Sequence, residues 1–481
     1  MADSISLSAR LASAGRCASR PGLALLLVVA TLAIHWSRSP IQDLHDFDQP
    51  DYLGIAYDLR HSDRFTDGYL NASPGPDGTR PPGMRFAPLY PAVLAVAAMF
   101  DPAFDRAMSC VVEQDADHLC PRSASLVRSV QFALLCGVYL LLWWIAAAAS
   151  GSRRVGWIAL ALGLFAAPAL MGGVNYMMTE NLTLFLVTAA TAAALKATAN
   201  ARVHARQGAW FALAGALLGL AALTRPAFEY LFLASAATGL TLALLQSPRR
   251  QAFIRALCFV AGGCAVMLPW IVRNDLVLSR PALSFGYASE VLVQRIAFDA
   301  MSWTEFGQSF VCWLPDGSGM GTLLWGAGAC ARFQLEQRAD TFYWIGNTTL
   351  LHSTVAAAGG LDHHLSYLVH TYIIPDLAWH VMVSIPLALR GVSINHYWGF
   401  VLTFVCAAMT WRALRTGDRR ILIVTLPGWF MLAFHAACAV NQVRYNLMLV
   451  VPFALAGGLA LDNAWIRWKR LPSLGKSPRA A

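Results

Sequence analysis

Between positions 46 and 61 the chain reads DFDQPDYLGIAYDLRH, which sets carboxylates at Asp46, Asp48, Asp51 and Asp58 within one short segment. A second acidic position, Glu180 in NYMMTENLTLFLV, opens an apolar run. Basic residues stand at comparable borders: Arg225 in LTRPAFEYL, Arg273 in PWIVRND and Arg444 in NQVRYNLMLVVP. Arg80 and Arg85 in TRPPGMRFAPLYP join them from an earlier polar stretch. A charge deep in hydrocarbon costs about 2.5–3.5 kcal/mol on insertion scales, so charges at such borders snorkel, pair, or line a polar cavity. Snorkelling is the commoner fate of any one arginine. Several arginines with two acidic positions suit another use, in which guanidinium groups hold an anion such as a phosphate and a nearby carboxylate moves a proton. Asp48 also has a plainer reading as the N-cap of a helix, with Pro50 in the first turn and Asp51 three residues on. The two uses are compatible, because a cap fixes where its carboxylate points.

The rest of the chain must supply the elements that position these groups. Of 481 residues 57% are hydrophobic and 13% charged, which is more apolar side chain than a soluble core needs. The class implied is an all-α polytopic membrane protein. Apolar segments fall at 21–37, 126–149, 155–174, 181–198, 208–224, 226–246, 252–271, 397–411, 421–438 and 447–464, giving ten spans. The net charge of +9 does not point to nucleic acid. More than half of the 36 lysines and arginines lie in residues 1–20, SGSRR, KATANARVHARQ, SPRR, RALRTGDRR and the tail after the last span, where they read as cytoplasmic anchors. The first apolar run follows Arg10, Arg16 and Arg20; with no small-residue cleavage site after it, it is read as a retained span and not a signal peptide.

Two further apolar stretches are read as interfacial or re-entrant. Residues 87–100 are too few to cross, and counting 375–394 as a span would turn RALRTGDRR to the outside. The expected organisation is a cytoplasmic N-terminus at 1–20, a first span at 21–37 and an outer loop at 38–125. A six-helix core at 126–271, a second outer region at 272–396, three spans within 397–464 and a basic cytoplasmic tail at 465–481 complete it. On this topology DYLGIAYDLRHS lies outside as an amphipathic surface helix. Its Tyr52, Ile55, Ala56 and Leu59 face the membrane, with Asp58, Arg60 and His61 toward water.

Four of the ten cysteines fall in the outer loops as two local pairs, Cys110 with Cys120 and Cys312 with Cys330. Loops facing an oxidising compartment make both pairs candidate disulfides, and free cysteines filling loop cores are the plainer alternative. DFD at 46–48 matches a DxD-type metal pattern by its letters. In a loop this dense in acids coincidence is the commoner case, so a divalent metal remains an open option and no other cofactor is indicated. His352, His363, His364, His370 and His380 have no recognised metal-ligand spacing.

Taken in order, DQPDYLGIAYDL, RFAPLYPAVLA, TENLTLFL, LTRPAF, LPWIVRNDLVLSR and RYNLMLVVPFALA make the chain resemble the bacterial membrane glycosyltransferases of the GT-C superfamily. The likeness is to the protein-mannosyltransferase-like branch, glycosyltransferase family 39, which includes the lipid A aminoarabinose transferase. The resemblance implies a bundle of about 10 transmembrane helices whose large first periplasmic loop bears interfacial helices. It implies a multi-pass protein of the bacterial inner membrane with its active site facing the periplasm. The activity implied is inverting transfer of one sugar, hexosyl or pentosyl, from a polyprenyl-phosphate donor to a hydroxyl of an envelope lipid, glycan or protein.

By the same resemblance the general base maps onto Asp48, with Asp46 and Asp51 as rivals, and the second acidic position onto Glu180. Donor-phosphate contacts map onto Arg85, Arg225, Arg273 and Arg444. Arg80 competes with Arg85, because this loop has two arginines where the family shows one basic residue. Tyr52, Asp51, Tyr90 and Tyr445 lie in the same motifs and are the candidate substrate contacts. A flippase or transporter for a lipid-linked sugar would need a similar headgroup cavity, and an envelope oligosaccharide polymerase or ligase would share the donor chemistry. No internal repeat or pair of interrupted spans marks a transporter in the sequence.

Overall fold

The structure is a computed structural model that describes residues 21–76, 78–113, 120–199, 204–245 and 249–470. Among these, every regular element is helical, and the β contact recorded is an isolated bridge between Thr66 and Pro82. The expected cytoplasmic N-terminus with Cys17, part of the basic loop after Lys196 and the end of the tail lie outside the described residues. The first span, α1 (Pro21–Arg38), leads into a loop that holds α2 (Gln49–Ser62), α3 (Leu89–Phe100) and α4 (Pro102–Glu113). A bundle follows: α5 (Ser125–Ser150), α6 (Arg153–Leu164), α7 (Ala167–Asn175), α8 (Glu180–Ala199), α9 (His204–Thr224), α10 (Ala227–Leu245) and α11 (Arg249–Leu278). The second loop region contains α12 (Tyr287–Ile296), α13 (Trp303–Cys312), α14 (Gly317–Trp325), α15 (Leu361–Leu368) and α16 (Leu377–Val392). The chain closes with α17 (Tyr397–Thr416), α18 (Arg419–Cys438) and α19 (Val450–Arg470).

Among the described residues nine helices are long and apolar enough to cross a membrane: α1, α5, α8 to α11, α17, α18 and the stretch Val443–Lys469 built on α19. The segment expected as an unbroken span at 155–174 is instead α6 and α7, bent by 58°. Pro168 stands in the first turn of α7 and lacks the N–H that would have continued α6. The carbonyl of Phe165, freed at the break, accepts from Asn395 Nδ2 at 2.6 Å, which is how a broken membrane helix stays satisfied. Counting this pair restores ten spans, but the expectation of uninterrupted ones fails here. The stretch expected at 375–394 is the second arm of a pair beginning at Leu361 and folded by 98°, and α3, at 12 residues, is too short to cross.

Helix-to-helix contact in the bundle depends on small residues, since lipid offers no hydrophobic drive between helices. Gly215 and Gly262 show it on α9 and α11: a Cβ on Gly215 would stand 1.9 Å from the Phe259 carbonyl oxygen, and one on Gly262 2.0 Å from that of Ala212. At one end of the bundle Arg128 of α5 fastens three elements together. Its guanidinium donates to Trp36 O at 2.8 Å, to Ser39 O and to Asn175 Oδ1 at 3.0 Å. These bonds satisfy carbonyls at the end of α1, where a helix leaves them orphaned.

The helix α2 forms where the apolar spacing predicts, but not as a surface helix. Tyr52, Leu53, Ile55, Ala56 and Asp58 are all buried, packed with α3 and α4 into a core of the loop itself. Asp58, expected toward water, is enclosed because two partners meet its charge: Arg80 Nη1 at 2.7 Å and the Thr66 hydroxyl at 2.5 Å.

Candidate functional site

The DFDQ turn ends with Asp48 in the N-cap position of α2, yet its side chain makes no capping hydrogen bond. An N-cap carboxylate bonds to the N–H of the second or third helical residue, and the second here is Pro50, which has none. Asp48 is thus left to look outward from the helix end. Phe47 just before it has φ of +56°, a left-handed conformation uncommon outside glycine. The fully buried Gln49 holds this turn in place. Its Nε2 donates to the carbonyls of Asp43 at 2.6 Å and Asp46 at 3.0 Å, while its Oε1 accepts from Met177 N at 2.7 Å. One amide side chain therefore ties the first loop to the turn that leads into Glu180.

Glu180 opens α8, where the helix dipole favours a carboxylate. Its Oε1 lies 3.5 Å from Arg225 Nη1 and 3.7 Å from Arg444 Nη1, and its Oε2 is buried with no hydrogen-bond partner. Arg444 Nη2 in turn lies 3.2 Å from Asp48 Oδ2. Both guanidinium groups sit over the Tyr445 ring, Arg225 at 4.4 Å and Arg444 at 5.3 Å. These ion pairs are shared and long beside the 2.7 Å contact of Arg80 with Asp58, and unshared charge-assisted bonds run to about 2.7–2.9 Å. Two carboxylates and two guanidinium groups from four separate elements thus meet in one cluster.

Beside this cluster lies a second group. Asp51, one turn on from Asp48, accepts from Asn71 Nδ2 at 2.7 Å. Burial raises its carboxyl to about 6 against the effect of that hydrogen bond, and the negative charge of Asp48 adds to the rise. Arg85 forms a two-pronged pair with Glu290 of α12 and lies 5.7 Å from the Tyr287 ring centre. Burial works against the charge on Arg85, and the Glu290 carboxylate more than offsets it.

The remaining predicted residues hold the surroundings. Arg80 goes to Asp58, as above. Arg273 donates to Gly83 O at 2.8 Å and Phe65 O at 3.0 Å and lies over Trp270 at 4.8 Å, so it fastens the first loop to the end of α11. Tyr52 and Tyr90 are buried against each other, ring centres 5.4 Å apart, within the loop core. Asp46 is exposed. Disulfides join Cys110 to Cys120 and Cys312 to Cys330. Among the described residues no three His, Cys, Asp or Glu side chains gather as metal ligands.

Sequence reasoning missed three contributors. Arg390, near the end of α16, places its buried Nη1 without a hydrogen-bond partner. Its electrostatic neighbours are the phenols of Tyr343 and Tyr445, and among the described residues no carboxylate pairs with it. The signal was available, since Arg390 ends an apolar run just as Arg225 and Arg444 border theirs. Glu290 and Gln49 carried no local signal, because their roles exist only across the chain. The last turn of α16 is pinned by Asn441 Nδ2, which donates to Leu387 O at 2.8 Å, and by Asn446 Nδ2, which donates to Asn441 Oδ1 at 2.6 Å.

Fold and site together define a polytopic helical membrane protein with a carboxylate and guanidinium cluster at one end of its bundle. No protein family matches the chain, and no curated protein does. Among solved structures it is similar to the Archaeoglobus fulgidus oligosaccharyltransferase in complex with Zn and sulfate, at 15% identity and a TM-score of 0.48, over 94% of this chain and 49% of that one. It is also similar to the archaeal oligosaccharyltransferase AglB from the same organism in complex with an inhibitory peptide and a dolichol-phosphate, at 15% identity and a TM-score of 0.48, over 96% and 53%. A third is ArnT from Cupriavidus metallidurans bound to undecaprenyl phosphate, at 13% identity and a TM-score of 0.38, over 96% and 82%. The chain spans about half the length of the oligosaccharyltransferases.

Proposed function

We propose that this chain is an inverting glycosyltransferase that moves one sugar from a polyprenyl-phosphate donor to a hydroxyl of an envelope acceptor, on the periplasmic side of a bacterial inner membrane. The observation that carries the reading is the meeting of Asp48, Glu180, Arg225 and Arg444 at the bundle end opposite the basic loops. The acceptor oxygen attacks the anomeric carbon in line, the bond from that carbon to the phosphate oxygen breaks, and the acceptor proton passes to Asp48. Polyprenyl phosphate leaves with the electron pair. Its charge is met by guanidinium groups fixed in advance, which lowers the barrier without a nucleotide site.

Arg390 suits the phosphate best, because Arg85, Arg225 and Arg444 each already face a carboxylate and Arg390 faces none. Arg444 lies between Asp48 and Glu180, and in that position it orients the Asp48 carboxylate until the acceptor arrives. Glu180 holds the two guanidinium groups together. The test is direct: purified protein in vesicles is given radiolabelled polyprenyl-phosphate sugar with a crude envelope acceptor fraction. Release of free polyprenyl phosphate with label on the acceptor supports transfer, whereas intact lipid crossing the bilayer without release indicates a flippase and ends this reading.

A further inference from the structure

The helix α14, GSGMGTLLW, is packed the reverse of a water-facing helix. Gly317 and Gly321, one turn apart, face inward. A Cβ on Gly317 would stand 2.0 Å from the Val311 carbonyl oxygen, and one on Gly321 2.2 Å from Cys330 Sγ. The helix therefore lies flat on the Cys312–Cys330 disulfide, and only glycine lets it come so close. Its bulky residues point outward: Leu323 is 85% exposed and Leu324 60%, with Met320 and Trp325 exposed beside them. No charged residue occurs between Asp316 and Arg332. Burying a leucine side chain is worth about 1.5–3 kcal/mol, so a helix that spends its small face on the protein and shows its leucines outward needs an apolar medium there.

That medium is identified by continuity. The turn before α14 meets the end of span α17, where the Tyr397 hydroxyl donates to Pro315 O at 3.4 Å. From Tyr397 the exposed apolar face of α17 runs on through Val401 and Phe404. Chain direction places this end of α17 at the same end of the bundle as Arg444, since α17 leads away from it and α18 returns to it. We propose that α14 is an interfacial helix immersed in the lipid leaflet at the site end of the bundle, with Leu323 and Leu324 among the acyl chains and Trp325 at the headgroup boundary. The disulfide makes this immersion structural. Cys312 and Cys330 share a core with Trp313, Phe333 and Phe342, against which Tyr343 packs, so the depth of α14 sets the height of the lobe beside Arg390.

The experiment places p-benzoylphenylalanine at position 323 or 324 of the full chain, in vesicles of tritiated phosphatidylethanolamine and phosphatidylglycerol, and irradiates. Position 404 on α17 serves as the lipid-facing reference, and position 338, a charged and exposed site on the same lobe, as the water-facing one. The expected result is lipid adducts at 323 and 324 as abundant as at 404, with background at 338. Yields at 323 and 324 no higher than at 338 would overturn the proposal, as would a product of twice the chain mass, which would make the face a contact between copies. None of these outcomes depends on whether the protein transfers sugar.

Discussion

Arg444 Nη2 lies 3.2 Å from Asp48 Oδ2 although 396 positions separate the two residues. The same guanidinium turns its other nitrogen to Glu180. The candidate site is thus closed by a residue from the last membrane segment reaching the turn that leads into α2.

Asp48 makes no capping bond, so its loss should spare α2. Asp48→Asn is expected to insert normally and keep its thermal midpoint while sugar transfer falls by about 10²- to 10⁴-fold, the usual contribution of a positioned base. Turnover of radiolabelled donor by purified variant and parent checks this. Transfer at the parental rate would remove Asp48 from the mechanism.

Arg390 is a cation without a carboxylate, and a buried charge lacking a partner is destabilising. Arg390→Leu is therefore expected to leave thermal stability unchanged or slightly improved. KM for the donor should rise about tenfold or more, the loss of one charge-assisted bond worth about 1.5–3 kcal/mol. Stability and KM moving down and up together would mark the residue as structural.

Gln49 is a positioning residue. Its amide donates two hydrogen bonds and accepts one, and Gln49→Ala deletes all three in a buried place. At about 0.5–1.5 kcal/mol each, stability should fall by roughly 2–4 kcal/mol. If the residue sets the spacing of Asp48 and Glu180, kcat should drop with KM for the donor little changed. Chemical denaturation and steady-state kinetics on the same preparation separate the two effects.

Asp51 makes stability depend on pH. Its carboxyl is raised to about 6 by burial, so the folded protein holds a proton that the unfolded chain releases more readily. Its contribution is fully present below about pH 4, declines as pH rises, and is gone once pH passes about 6, amounting to at most about 3 kcal/mol. Asp51→Asn cannot ionise and should lose this decline. Melting curves across that window test it: equal slopes for parent and variant would show that Asp51 does not carry the dependence.

Much of this molecule was legible because its rules are local. Run length and hydropathy decide whether a helix can cross, and the segments from Pro21 to Arg38 and from Ser125 to Ser150 follow them closely. Even locally, Pro168 broke a span that hydropathy alone read as continuous.

What the sequence determined, then, was the membrane class, the order of the spans, the acidic turn at 46–51 and the arginines that border apolar runs. Tertiary structure decided which of those charges meet. Arg444 and Arg225 reach Glu180, while Arg80 turns to Asp58, Arg273 to loop carbonyls and Arg85 to Glu290. The physical reason is range. An apolar period acts over a turn or two of helix, whereas the partner of a charge is chosen by whichever surfaces the bundle brings within a few ångströms, and residues hundreds of positions apart supply them.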